Sequence, residues 1–324
     1  MGIAMTDKGL MKKLREDSTF NPWIEVSKQW LSEINNGINR ENFILSSDQE
    51  NVENHNKSAV NWCCKNNKKK GSDLQLMYED FLLRKEIMPQ PFIGNPEAPI
   101  WILLENPGYS TADIYDLISV EMGRKELKKD NIGPEYIIEN DINKEKAFLK
   151  DRKELVCKQL MFEFENDSAF YVLRPEFRTI RQVGRTVQGA YNWYKKYFGC
   201  KTGYFSGNSC LLKALSHNIF LMEYIPYHSK RFHNFDIRFT HNNMWQKMIR
   251  HAITEKIIVV RNPLILKYIK NTVDPKEFTK AEMERRIIQF EGMSTSFSVS
   301  NTCWPCSDIS EINPIIKQIN ISNL

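Results

Sequence analysis

Pro99-Ile-Trp-Ile-Leu-Leu-Glu-Asn-Pro-Gly108 is the stretch that decides the fold, a continuous apolar run that stops at Glu105 and Asn106. A short run of this kind, ended by turn residues, is typical of a strand buried on both faces of a parallel sheet. Ligands bind at the carboxyl ends of such strands, so Glu105 and Asn106 are candidate site residues, and Gly108 lets the backbone approach a ligand. An ordinary exit from a strand into a loop is the alternative interpretation.

Three more apolar runs have the same form, and each ends in polar or small residues. They lie at 218–223, 256–260 and 286–290, and helical stretches lie between them at 242–252, 264–270 and 280–285. Four buried strands that alternate with helices predict a parallel sheet covered by helices on both faces. We therefore predict an α/β fold, a three-layer α/β/α sandwich with a four-stranded parallel sheet.

The rest of the chain predicts added helical parts. Residues 1–88 form a helical N-terminal region, with an amphipathic helix around Trp23–Leu31 and a polar loop at 47–72. Residues 89–324 form the α/β/α domain. Between 110 and 167, charged and apolar residues alternate with helical spacing, so we expect a helical insertion after the first strand.

Composition sets the broad class of protein. The 324 residues are 41% hydrophobic and 26% charged, as in soluble globular proteins, and the net charge of +5 permits a polyanionic partner without proving one. The chain lacks an apolar run of about 18 residues and a signal-peptide core, so we expect a cytoplasmic monomer with no membrane partner.

The seven cysteines lack the spacing of a disulfide framework and indicate reduced thiols. Cys303 and Cys306 have the spacing of a metal or redox pair, but a second pair with that spacing is missing. Plain thiols are therefore favoured over a bound metal or cluster. We expect no cofactor.

This order of strands and loops resembles the uracil-DNA glycosylase superfamily over about residues 90–310, more in layout than in identity. Asn106-Pro107-Gly108 matches the Asn-Pro-Gly of the water-activating loop in the mismatch-specific and single-strand-selective branches. Glu223 stands where the family has a base-reading asparagine. The His-Pro-Ser signature has no match in the loop 291–301, and His228, from a different loop, is the nearest replacement for its histidine.

Glu223 bears on the base that the resemblance implies. An ionised glutamate only accepts hydrogen bonds, so it would repel O4 of uracil and suit an amino group such as N4 of cytosine. The sequence therefore argues for a cytosine-like or otherwise modified base over plain uracil. The alternative is a structural carboxylate that pairs with Arg261 or His228.

The other candidate site residues follow from the chemistry of base excision, in which a flipped-out base loses its glycosidic bond to water. Asn106 would position the water, Glu105 would act as a general base, and His228 would assist the leaving base. The resemblance implies that Phe170 or Tyr171 stacks on the base. The densest cluster of functional residue types is Tyr227, His228, Ser229, Lys230 and Arg231, with Tyr227 as a stacking ring and the last three as DNA contacts.

The loop after the fourth strand is rich in hydroxyl groups suited to phosphate contacts. Its candidate DNA-binding residues are Ser294, Thr295 and Ser296. A serine-rich turn without a ligand is the alternative interpretation of this loop. A core aromatic is the alternative for Phe170 or Tyr171. No catalytic lysine stands at a matching position, so a lyase step is not expected.

The resemblance thus implies a monofunctional DNA glycosylase that removes a cytosine-like base, leaves an abasic site and has DNA as its partner. Defence against phage DNA with modified cytosines is one context for such an enzyme. Two alternatives stay open. One is a nucleoside or nucleotide N-glycosidase or transferase, and the other is a nucleic-acid-binding protein that keeps the fold without the chemistry.

Overall fold

The computed structural model describes residues 7–38, 40–66, 71–108, 142–173, 181–182, 185–186, 209–260, 262–273 and 286–289. Within these ranges the chain has a mixed α/β fold, in which helices pack around a five-stranded sheet. None of the helices in these ranges combines the length and apolar character that a membrane crossing requires.

The helices are numbered here in chain order. They are α1 (Asp7–Glu16), α2 (Trp23–Asn35), α3 (Gln49–Asn66), α4 (Ser72–Glu79), α5 (Ile142–Leu160), α6 (Ser209–Asn218), α7 (His241–Glu255) and α8 (Pro263–Thr272). The strands are β1 (Phe92–Gly94), β2 (Ile100–Leu104), β3 (Arg181–Gln182), β4 (Arg185–Thr186), β5 (Ile219–Glu223), β6 (Ile257–Val260) and β7 (Ile287–Gln289). Strands β3 and β4 form a separate two-stranded pair.

The main sheet has the order β1-β5-β2-β6-β7. The four strands predicted from apolar runs are β2, β5, β6 and β7, and they pair in parallel. The prediction of an all-parallel, four-stranded sheet was nevertheless wrong, because β1 adds to the outer edge of β5 in the antiparallel direction. A strand of three residues leaves too short an apolar run for the sequence pattern to distinguish it from a loop.

The strand order has a topological switch point at β2, where the chain changes from one side of the sheet to the other. The chain leaves β2 towards β5 on one side and then crosses to β6 on the other side of β2. In open α/β sheets a crevice forms at the carboxyl ends of the strands where the order reverses. The loops after β2, β5 and β6 therefore meet at one edge of the sheet.

The N-terminal helices share their core with the sheet. Trp23 and Trp30 from α2 lie fully buried in the same apolar cluster as the residues of β2, β5 and β6. The predicted amphipathic helix around 23–31 is confirmed by α2, which is one turn longer at its carboxyl end. Burial of these large rings contributes about 2–3 kcal/mol each to folding.

The predicted polar loop at 47–72 is wrong for most of its length, because residues Gln49–Asn66 form α3. The buried residues of α3 are Val52, His55, Ala59 and Cys63, spaced three or four apart. Such spacing places them on one face of a helix. The surrounding Asn, Glu and Lys residues hid this narrow stripe from an interpretation based on composition.

Within the predicted helical insertion at 110–167, α5 covers Ile142–Leu160, and residues 161–165 are not helical. Residues 110–141 lie outside the described ranges. In the helical N-terminal region predicted for residues 1–88, the last helix is α4, which ends at Glu79, and residues 80–91 lead to β1 without a helix.

Gly94 shows how tightly β1 joins β5. Its φ of +101° is outside the range that side chains tolerate, and a Cβ atom there would lie 2.6 Å from the carbonyl oxygen of Ile219. Gly37 also has a positive φ, +72°, but a Cβ atom there would have no neighbour within 4 Å. Gly94 is therefore required for close approach as well as for its backbone angle.

We expect Gly94→Ala to lower the free energy of unfolding by about 3 kcal/mol or more, because strain is added to a clash with a backbone atom. Gly37→Ala is the matched control and should cost only about 1–2 kcal/mol, the penalty for the positive φ. Urea denaturation of both variants measures the difference. Equal losses would contradict the close contact between Gly94 and Ile219.

Candidate active site

The candidate active site lies where three parallel strands end. Glu105 and Asn106 follow β2, Glu223 is the last residue of β5, and Asn262 comes two residues after β6. Two backbone hydrogen bonds continue the pairing past the strands, from the nitrogen of Tyr224 to the oxygen of Leu104 (2.9 Å) and from Ile225 to Glu105 (2.7 Å). The loops that carry the polar side chains are therefore held side by side.

Glu105 is oriented by Asn262. The Asn262 Nδ2 donates to Oε1 of Glu105 at 2.5 Å, while its Oδ1 accepts from the backbone nitrogen of Leu264 at 2.8 Å. The second bond caps the amino end of α8, which begins with Pro263. Because both ends of the amide are engaged, Asn262 holds the Glu105 carboxylate in one direction. Asn262 was not among the predicted site residues, although an Asn-Pro pair directly after a strand is a recognisable helix start.

Glu223 is buried without a partner for one of its oxygens. The residue is 5% exposed, and its Oε2 makes no hydrogen bond to any described residue. Burial raises the pKa of Glu223 well above its ordinary value, and the nearby charge of Glu105 raises that pKa further. These two effects favour a neutral carboxylic acid at Glu223.

The protonation state of Glu223 determines which hydrogen bonds it can make to a base. Glu223 was expected to be ionised and only to accept hydrogen bonds, whereas its raised pKa favours a neutral carboxylic acid, which has one O–H donor and one carbonyl acceptor. Such a group complements the N4 amino group and N3 of cytosine. It also complements the O4 and N3–H of uracil when its two oxygens exchange roles. The neutral acid by itself therefore does not exclude uracil.

Asn106 is held by the loop after β5. Its Nδ2 donates to Oγ of Ser229 at 2.8 Å, with longer contacts to the carbonyl oxygens of Ser229 (3.4 Å) and Pro107 (3.2 Å). Ser229 in turn donates from Oγ to the carbonyl oxygen of Arg231 at 2.9 Å. The Oδ1 of Asn106 has no hydrogen bond within the described part of the chain, so it is available as an acceptor for a substrate water.

His228 is buried as a neutral imidazole. Its Nδ1 lies 3.1 Å from the carbonyl oxygen of Gly108 and donates to it, which ties the loop after β2 to the loop after β5. Burial lowers the pKa of His228 to about 4, partly offset by the backbone oxygens of Gly108 and Met88. At neutral pH the ring is therefore uncharged, and because Nδ1 carries its proton, Nε2 can accept a hydrogen bond but cannot donate one to a leaving base.

The two residues predicted by the resemblance to stack on the base, Phe170 and Tyr171, are both buried. Phe170 is fully buried beside Gly94, which pairs with Phe220 near the start of β5. Glu223 lies three residues further along that strand, about 10 Å away. Tyr171 is likewise buried, and burial raises its pKa. Both rings are therefore part of the described core.

Tyr227, which was predicted to be a stacking ring, is a buried core residue. It is fully buried, and its hydroxyl donates to Oδ2 of Asp48 at 2.8 Å and accepts from the backbone nitrogen of Leu45 at 3.2 Å. Its ring also meets Trp23 edge-on, with 6.2 Å between centroids. Residue type alone cannot distinguish a ring that stacks on a ligand from one that closes the core.

The residues predicted to contact DNA differ in their exposure and in their side-chain partners. Lys230 and Arg231 are exposed, and both pair with Asp80, at 3.4 Å and 3.1 Å respectively. Ser229 is buried, and its Oγ accepts a hydrogen bond from Asn106. Ser294, Thr295 and Ser296 lie outside the described ranges, as do Arg261, Cys303 and Cys306.

Among the described residues, one group of side chains has the geometry of potential metal ligands. It consists of Asp7, His251 and Glu255. The Asp7 carboxylate already accepts from Nε2 of His251 at 2.9 Å and from Nζ of Lys256 at 2.7 Å. These contacts and the lowered pKa of Asp7 fit a polar link between α1 and α7 better than a cation site.

Comparisons with models of protein families, with curated proteins and with solved structures found no match for the chain. The likeness to glycosylases therefore rests on the residues of the strand ends and on their arrangement. Any assignment of function has to come from the chemistry of this site.

Glu223→Gln tests the neutral state of the acid, because glutamine keeps its size and does not titrate. A raised pKa in the folded chain means that the wild type loses stability as pH rises above the ordinary value of 4.5 towards the folded pKa. We therefore expect the free energy of unfolding of the wild type to fall relative to that of Glu223→Gln as the pH rises from about 5 to about 8. His228 and His241 are common to both proteins, so their titration cancels in this difference.

The control is Glu163→Gln, at an exposed glutamate just after α5. Its stability difference from the wild type should stay flat over the same range of pH. Urea unfolding at several pH values gives both curves. A wild-type protein that gains stability relative to Glu223→Gln as pH rises would show that Glu223 is ionised in the fold.

Proposed function

We propose that the chain is a monofunctional DNA glycosylase that hydrolyses the N-glycosidic bond of a flipped-out, cytosine-like base and leaves an abasic site. The observation that carries the proposal is the buried acid Glu223 beside Glu105, at the ends of adjacent parallel strands. Asn106 contributes an oriented amide from the next residue of the same loop. Together they offer a proton donor, a proton acceptor and an anchor for water.

The proposed fold is the three-layer α/β/α sandwich. Helices α7 and α8 contact β6, while α5 and α6 contact β1. These contacts support helical layers against the sheet, with the carboxyl ends of the strands left as the edge for substrate. The chain would act on DNA as a monomer.

In the proposed reaction, water attacks C1′ of the sugar as the bond from C1′ to the base nitrogen breaks. The transition state resembles an oxocarbenium ion, so it needs a positioned water on one side and stabilisation of the departing base on the other. Asn106 accepts a hydrogen bond from the water through Oδ1. The carboxylate of Glu105, held by Asn262, takes the proton that the water loses.

Glu223 would act on the base. As a neutral acid it accepts from the N4 amino group of cytosine and donates to N3, so its proton moves towards the base as the base takes up the bonding electrons. This arrangement supports a cytosine-like base through matched hydrogen bonds. A neutral acid would discriminate against uracil less strongly than an ionised carboxylate would, so the preference between the two bases has to be measured.

The ion pairs of Asp80 favour a second candidate, a nucleoside or nucleotide N-glycosidase. Lys230 and Arg231 are already paired with Asp80 on the surface, which reduces the charge they offer to a DNA backbone. A small substrate would use the same strand ends without a basic groove. Measurement of binding to DNA at moderate salt separates the two candidates.

The test of the proposed function is alkali-induced strand cleavage after incubation with synthetic DNAs, both single-stranded and duplex. The substrates contain uracil, a thymine mismatch, hydroxymethylcytosine or glucosylated hydroxymethylcytosine. We expect cleavage of a cytosine-like substrate by the wild-type protein. Asn106→Ala and Glu223→Gln should each lower the rate by about a hundredfold or more, as expected for loss of a group that acts in the transition state.

Asn243→Ala is the matched control, since Asn243 lies exposed on α7. It should cleave at the wild-type rate, and thermal melting of every variant checks that a lost activity is not a lost fold. Efficient cleavage of uracil DNA with modified-cytosine DNA left intact would overturn the base preference. If no DNA substrate is cleaved but free nucleosides are hydrolysed, the second candidate is favoured.

A further inference from the structure

A cavity lies between helices α7 and α8, beside the loop that follows β5. Its volume is about 270 Å³, near the lower limit of small-molecule sites. Tyr224, Trp245 and Tyr268 supply its aromatic wall, and Arg238, Lys267 and Asp236 supply its charges. None of these side chains takes part in the proposed glycosylase chemistry.

The aromatic wall has a defined geometry. The rings of Tyr224 and Tyr268 stack in parallel, with 4.2 Å between centroids and 13° between planes. Trp245 meets Tyr224 edge-on at 5.3 Å. Tyr268 is half-buried, whereas Trp245 is fully buried. A planar ligand could extend this stack from the side of Tyr268.

Trp245 carries an unsatisfied donor. Its indole N–H is buried and has no hydrogen-bond acceptor among the described residues. A buried donor without a partner costs about 1–3 kcal/mol, and tryptophan nitrogens usually find a partner when buried. Trp245 also lines the cavity, so the unsatisfied donor belongs to a residue of its wall.

The charged side chains converge on the same space. Burial raises the pKa of both Tyr224 and Tyr268, and the charges of Asp236 and Arg238 act on both hydroxyl groups in opposite directions, so both charges lie near this pair of rings. Lys267 adds a second cation from α8. The backbone of Asp236 is held at a φ of +56°, and its Oδ1 accepts from Asn234 at 3.0 Å, which fixes this part of the wall.

We propose that this cavity binds a nucleoside monophosphate unit. Arg238 and Lys267 bind the phosphate, the tyrosine stack receives the base, and the Trp245 N–H donates to a base or sugar oxygen. A carboxylate in an otherwise cationic wall is explained by the sugar, because Asp236 can accept from a sugar hydroxyl. The unit comes either from a free nucleotide or from a nucleotide within a single strand, and this proposal does not depend on the glycosylase activity.

The test is isothermal titration calorimetry with the full chain at low salt. The probes are uridine 5′-monophosphate, uridine, inorganic phosphate and a short oligothymidylate. We expect saturable binding of the nucleotide, with uridine and phosphate each at least about tenfold weaker, since each lacks one half of the recognised unit.

Three variants test the contacts. Arg238→Gln and Lys267→Gln should each weaken nucleotide binding by about tenfold, and Trp245→Phe, which keeps a ring and removes the N–H, should weaken it by about five- to tenfold. Lys270→Gln is the control, because Lys270 is exposed on the same helix and does not line the cavity. Thermal melting identifies any variant that fails to fold, and the two exposed-cation variants remain informative if Trp245→Phe fails.

Tighter binding of the oligothymidylate than of the nucleotide, lost in the same variants, would assign the cavity to a strand. Nucleotide binding without oligothymidylate binding would assign it to a free nucleotide. The proposal is overturned if no nucleotide probe binds, if phosphate alone binds as well as the nucleotide, or if Lys270→Gln weakens binding as much as Lys267→Gln.

Discussion

The side chain of Glu223 is kept from water by the backbone that carries it, and most of the site follows from that constraint. Its nitrogen donates to the carbonyl oxygen of Pro91 at 2.8 Å, and its own carbonyl oxygen accepts from Nε2 of His241 at 3.0 Å. The strand end therefore has no freedom to turn the carboxyl outwards. Burial and the nearby charge of Glu105 both raise the pKa of Glu223, while the side chain of Asn262 holds Glu105 in place by a hydrogen bond.

The same contacts connect the N-terminal helices to the site. Trp23 of α2 donates from its indole nitrogen to Nδ1 of His241 at 3.4 Å, and His241 then donates from Nε2 to Glu223. Burial lowers the pKa of His241 to about 4, which agrees with a neutral ring that donates at one nitrogen and accepts at the other. Residues 1–88 were predicted as a separate helical region, yet part of that region supports the end of β5.

Much of the sheet was predictable because buried parallel strands leave continuous apolar runs, as at 100–104 and 257–260. Strand β1 and helix α3 were not, because one has only three residues and the other hides its buried face among polar residues. The polar residues at strand ends were identifiable by position, and these include Asn106 and Glu223. Their ionisation and partners were not, because both depend on neighbours that are distant in sequence.

Aromatic residues mark the limit of sequence-based reasoning most clearly. Tyr227 and Phe170 have the right residue type for base stacking, but both close the core. Tyr224 and Tyr268 drew no attention in the sequence, yet their rings stack at the wall of a cavity. Tyr224 and Tyr268 are 44 positions apart in the sequence and become neighbours only when β5 and α8 pack together. No local sequence pattern can therefore predict their contact.

The central claim is that Glu223 is a neutral acid beside an oriented Glu105, and carbon-13 NMR of the side-chain carboxyl groups tests it most directly. The resonance of Glu223 is assigned by its disappearance in Glu223→Gln and is followed across a pH titration. The account predicts the chemical shift of a protonated carboxyl at neutral pH, with a midpoint well above the ordinary value of 4.5. A midpoint at or below that value would mean an ionised Glu223 and would contradict the proposed proton donor.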